Sequence, residues 1–175
     1  MSQMNMISFE LEINKSGDYA FVDKLIIKLD EVRFGQRGGC AERGLVTGEI
    51  VNLLDKLVRQ QSFPEFLRYF SALEAREIFS LLDEGCWGGG KWACIPPSAP
   101  SNPSLFSALP AATELFDLER AYFIETLQDC SRLVYRDCND GLIKETFVSR
   151  EEYVRVWTSI LLEINSSKSM GSGLE

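Results

Sequence analysis

The chain contains no histidine, which removes at one stroke the usual general base of Ser-His-Asp and Cys-His catalysis and every histidine-containing metal site. Its cysteines are few and poorly spaced for cross-links or zinc. Cys40, Cys86, Cys94, Cys130 and Cys138 are odd in number and include no C-x-x-C pair. Seven residues separate Cys86 from Cys94, and Cys130 from Cys138, a wider gap than structural zinc sites use. The expectation is reduced thiols of a cytoplasmic protein, with no disulfide framework, no metal and no cofactor.

Positive charge is also scarce. Lys and Arg total 18 against 26 Asp and Glu, giving a formal net charge of −8 and a pI near 4.7. That balance opposes general binding to a phosphate backbone and attracts a basic partner. No apolar run approaches the roughly 20 residues of a membrane-spanning helix. The first six residues lack the basic-then-apolar order of a signal peptide. Neither a membrane nor direct nucleic-acid contact is therefore expected.

What is present suits a folded α+β protein. The 175 residues are 45% hydrophobic and 11% aromatic, with a mean hydropathy of −0.07, enough for one core and short for two. Met6, Phe9, Leu11 and Ile13 partly alternate with polar residues, and residues 14–18 offer a turn before the apolar run 19–29. This predicts an antiparallel hairpin, with a short third strand at 32–34. Thr47 as N-cap and the helical spacing of Ile50, Val51, Leu54, Leu57 and Val58 predict an amphipathic helix over 48–60. Further helical turns follow over 63–70. A capping box at Ser71 and Glu74 then opens a helix that ends near Gly85.

Residues 86–110 change character, with a Gly-rich stretch between Trp87 and Trp92 and then Pro96, Pro97, Pro100, Pro103 and Pro110. They read as an irregular, exposed insertion. Strands are expected again over 121–127, 132–136 and 142–148, the last two joined through Asn139, Asp140 and Gly141. Ser149, with Glu152 three residues on, caps a closing helix whose buried stripe is Tyr153, Val156, Trp157, Ile160 and Leu161. The assembled expectation is a single α+β domain over residues 1–165, in which N- and C-terminal strands form one antiparallel sheet with helices packed on it. Residues 166–175 read as a flexible tail, in part vector-encoded.

Chemistry-bearing residues are sparse. Gly88 to Lys91 superficially suggests a phosphate loop but lacks the G-x-x-x-x-G-K-S/T pattern, so a surface turn is expected. Asp83, Glu84, Glu114, Asp117 and Glu119 could be a solvated surface or an acidic binding face. Trp87 and Trp92, five residues apart in a Gly-rich stretch, could pack inside or anchor a protein interface. We take these seven residues as the candidate partner-binding set, with no catalytic residue among them.

One longer pattern has a counterpart. The run from Phe123 through Arg132-Leu-Val-Tyr-Arg136, then Leu142 to Phe147 and Glu151 to Trp157, resembles the C-terminal half of a family of bacterial toxin-immunity proteins. Ile7 to Glu12, Leu25 to Leu29 and Val32 to Gly35 resemble that family's opening hairpin. The resemblance implies a cytoplasmic immunity protein of a polymorphic or contact-dependent growth-inhibition toxin system. Such a protein would bind the C-terminal domain of its cognate toxin, here a nuclease by charge, and block it stoichiometrically. The alternative is a cytoplasmic adaptor or regulatory binding module; a carboxylate-dependent hydrolase is the enzyme reading.

Overall fold

The computed structural model of the chain describes residues 6–16, 19–35, 39–87, 98–111, 114–117, 119–126 and 130–167. The first strands are β1 (Ile7–Ser16) and β2 (Tyr19–Leu29), paired antiparallel from Ile7↔Leu29 to Ser16↔Tyr19. The register shifts between Glu12 and Ile13, where Asp23 of β2 bulges out of the ladder. A bulge inserts one residue and so resets which side chains face inward. That is why Val22 and Leu25, three apart, are both fully buried. A two-residue turn with Asp30 at a φ of 52° leads into β3 (Val32–Phe34), and β4 (Ala41–Glu42) pairs with the other end of β2.

Three helices follow: α1 (Arg43–Gln60), α2 (Pro64–Ser71) and α3 (Ala75–Trp87). Helix α1 starts well before Thr47, and the change of start moves its apolar face. Val46, Ile50, Leu53, Leu57 and Gln60 are buried, whereas Val51 and Val58 are exposed. The spacing of four and three residues keeps the first set on a single helical face. The cap of α3 is also displaced from the expected box: the Glu74 N–H donates to the Glu77 carboxylate at 2.9 Å, and Ser71 instead donates to the Leu67 carbonyl.

Strands β5 (Ala121–Ile124), β6 (Ser131–Arg136) and β7 (Ile143–Val148) form a second antiparallel sheet, and α4 (Arg150–Ser166) closes the chain. Ser149 caps α4 as expected, accepting the Glu152 N–H. The α+β class holds, but the strands form two sheets in place of the single one expected. Two of the edges that could join them are taken or cut short. The outer edge of β5 pairs with the irregular segment through Ser107↔Tyr122 and the Ala108 N–H to the Ala121 carbonyl. Strand β3 is three residues long and ends at Gly35. The sheets meet through side chains, with Phe34 edge-on to Tyr135 at 5.5 Å between ring centres.

The second sheet lies between two cores. Ala121, Phe123, Leu133 and Tyr135 face the first, with α1, α4 and the inner face of β1 and β2. Tyr122, Ile124 and Val134 face the second, with α2, α3 and the short 3-10 turn Pro103–Phe106. All four residues of β5 are buried, as a strand covered on both faces requires.

The outer face of the first sheet is polar. Lys24 bridges Glu10 at 3.0 Å and Glu12 at 2.9 Å, and Lys28 pairs with Glu10. Hydrogen bonds from Lys28 and Lys24 hold the Glu10 carboxyl down from its ordinary 4.5 to about 2. A carboxylate lowered in the folded state stabilises above its unfolded value, and that contribution fades as pH falls from about 4.5 toward about 2. An NMR titration of the Glu10 side chain is therefore expected to give a midpoint near 2. Substitution of Lys28→Met, or high salt, should move it upward, because this is an exposed and screenable cluster. A midpoint indifferent to both would contradict the assignment.

Candidate functional site

Asp83, Cys86 and Trp87 sit at relative positions 0, 3 and 4 on the last turns of α3, so they share one helical face. That face looks toward the start of β5. The Nη1 of Arg120 donates to both carboxylate oxygens of Asp83, at 2.7 and 2.8 Å, and the Tyr122 hydroxyl donates to the same group at 3.1 Å. The guanidinium lies 4.7 Å from the centre of the Trp87 ring, a cation–π stack. Trp87 nonetheless remains 70% exposed.

These groups border a cleft of about 640 Å³ whose lining includes Trp87, Leu109, Pro110, Phe116, Asp117 and Arg120. Burial, and then the Asp83 charge, push the Cys86 thiol up to about 11. The thiol is thus protonated at neutral pH, the opposite of an activated nucleophile. Tyr122 is likewise raised, chiefly by burial, and stays a neutral hydrogen-bond donor. With Asp83 engaged by Arg120 and Tyr122, the cleft presents aromatic and apolar surface under a carboxylate rim.

The candidate residues divide. Asp83, Trp87, Glu114, Asp117 and Glu119 converge on this cleft. Glu114 and Asp117 are exposed at its rim. Glu119 is turned toward the first sheet, where it accepts the Gly35 N–H at 2.6 Å. Gly35 has a φ of +92°, and a Cβ there would stand 2.0 Å from the Leu25 carbonyl. Glu119 thus ties the cleft wall to a backbone position that only glycine fits. Glu84 points elsewhere on α3 and accepts the Ser80 hydroxyl at 3.1 Å. Trp92, Cys94 and residues 88–91 lie outside the described residues.

Arg120 was not singled out by the sequence reading, and it organises the site. The signal available was slight: one arginine directly before an apolar strand. A second opening of about 490 Å³ lies between the end of α2 and β7. There Arg132, 8% exposed, donates to the Phe70 and Leu73 carbonyls and pairs with Glu145. Its donors are spent on closing α2 and joining it to the sheet, which is a structural role. Among the described residues no group of three Asp, Glu, Cys or His could hold a metal ion, and no helix is long and apolar enough to cross a membrane.

Comparison with protein-family models, with curated proteins and with solved structures finds no match for this chain.

Proposed function

We propose that the protein acts by binding another protein through the Trp87 cleft, as an immunity protein that neutralises a cognate toxin domain in the cytoplasm of the producing cell. The observation that carries this reading is Trp87 itself. A tryptophan 70% exposed, stacked on a guanidinium and beside an open apolar cleft, has the character of the few anchors that dominate interface energy. The exposed carboxylates of Glu114 and Asp117, on a chain of net charge −8, favour a basic partner surface and speed its approach. A nuclease domain of a polymorphic or contact-dependent growth-inhibition system presents such a surface, because its own substrate is polyanionic.

The test is calorimetry of the full chain against the inactivated C-terminal domain of the protein encoded immediately upstream, together with growth rescue from the active form. Equimolar nanomolar binding with rescue is the expected result. No heat and no rescue would sink the immunity reading.

A further inference from the structure

We propose, on the reading of the Trp87 cleft as the partner-binding surface, that what enters it is an arginine side chain. Its guanidinium stacks on the free face of the indole and is held by the Glu114 and Asp117 carboxylates. Arg120 supplies an internal precedent for the first half. Its guanidinium lies 4.7 Å from the centre of the Trp87 ring, while both oxygens of Asp83 accept from its Nη1. A single guanidinium covers one face of an indole, and Trp87 is still 70% exposed. An aromatic ring attracts a cation over either face, and the planar guanidinium also stacks on it.

Charge in the cleft supplies the second half. Arg120 is the one cation among the described lining residues, and Asp83 neutralises it. Glu114 and Asp117 line the same cleft and are exposed, and neither side chain has an ion pair or hydrogen bond among the described residues. They differ in this from Glu10 and Glu12, whose charges Lys24 and Lys28 already meet. The two free carboxylates are also fixed in place. They flank the ends of the 3-10 turn Glu114–Phe116, whose Leu115 and Phe116 are buried, with Phe116 edge-on to Trp157 at 6.2 Å between ring centres. The Gly39 N–H donates to the Glu114 carbonyl at 2.9 Å. A site ordered before binding loses little freedom when it is filled.

Arginine meets both features where other side chains meet one. Lysine supplies the charge, but its compact, strongly hydrated ammonium has no plane to lie along the indole. An apolar side chain packs on the ring and leaves both carboxylates unanswered. The guanidinium is flat, weakly hydrated and carries five N–H donors in a fork that matches carboxylate oxygens. A cleft of about 640 Å³ has room for that side chain and the backbone on either side of it. A protein that holds a polyanion presents such side chains to the phosphates, so the two carboxylates would take the place of phosphate oxygens.

The probes are three blocked tripeptides with arginine, lysine or citrulline between two glycines, titrated into the ¹⁵N-labelled full chain. The Trp87 indole N–H and the Asp117 amide report binding, and the buried Trp157 indole reports the fold. Citrulline keeps the shape and removes the charge; lysine keeps the charge and removes the plane. The arginine peptide is expected to bind saturably, about fivefold tighter than lysine and about tenfold tighter than citrulline. Glu114→Gln/Asp117→Asn should bring arginine down to the citrulline level, and Trp87→Leu should bring it down to the lysine level. No response to arginine, lysine binding as tightly, or an arginine response that neither variant changes would overturn the proposal. Failure here is separable from failure of the toxin reading. Toxin binding lost in Trp87→Ala, with no response to the arginine peptide, would keep the cleft as the interface and reject the occupant. Arginine binding with the expected selectivity and no toxin binding would keep the occupant and reject the toxin.

Discussion

Substituting Gln60→Leu is expected to lower global stability by about 4 kcal/mol, because it strands three buried backbone groups at once. Gln60 is 0% exposed at the end of α1. Its amide nitrogen donates to the Leu105 carbonyl at 3.2 Å and the Phe123 carbonyl at 2.9 Å, while its oxygen accepts the Glu125 N–H at 3.2 Å. Leucine fills the volume but offers none of these bonds, and each orphaned group costs about 1–3 kcal/mol when water cannot reach it. Gln60→Glu should be worse, since it puts an acceptor in place of the donor against two carbonyls and buries charge. Urea unfolding of both variants should show a lower midpoint with an unchanged slope. A loss below about 1 kcal/mol for Gln60→Leu would mean that these groups find other partners. The residue also supports the cleft. It joins α1 of the first core to the 3-10 turn and β5 of the second, and that region forms one wall of the cleft.

A buried glutamine of this kind marks where the sequence stops being legible. Some local signals carried through to the structure. The turn through Asn139, Asp140 and Gly141 joins β6 to β7, with Gly141 at a φ of 72°, and Ser149 caps α4. These depend on residues only a few positions apart. The Thr47 cap and the capping box at Ser71 and Glu74, equally local, did not form, and the larger misses depended on distant partners. Gln60 lies at the end of an amphipathic pattern and is polar, so nothing local shows that carbonyls 45 and 63 residues away require its amide. The single-sheet expectation failed because residues 107–108, read as irregular, occupy the edge of β5.

Charge counting shows the same limit at the site. By sign alone Asp83, Glu84, Glu114, Asp117 and Glu119 were equivalent. The structure pairs Asp83 with Arg120, gives Glu119 to the Gly35 amide and turns Glu84 toward Ser80. Glu114 and Asp117 are left as the exposed carboxylates at the cleft. Trp87 was legible as a candidate because it opens a Gly-rich stretch; its stack on Arg120 links residues that only the packing of α3 against β5 brings together.

If the proposed partner docks on the cleft, truncation of Trp87→Ala is expected to weaken its binding by about 2–3 kcal/mol, roughly 30- to 150-fold, chiefly through faster dissociation. Its ring stands largely in solvent in the free chain, so folding stability should change little, which separates a binding effect from an unfolding one. Arg120→Lys keeps the charge facing Asp83 but loses the planar stack on Trp87. It should give a smaller loss and, combined with Trp87→Ala, less than the sum of the two, because both remove the same contact. Glu114→Lys with Asp117→Lys should instead slow association and flatten its dependence on salt, since rim charges act on encounter. The two substitution sets thus read out different steps of one event. Stopped-flow binding and growth rescue would check both. Unchanged affinity in a folded Trp87→Ala variant would remove the cleft from the interface.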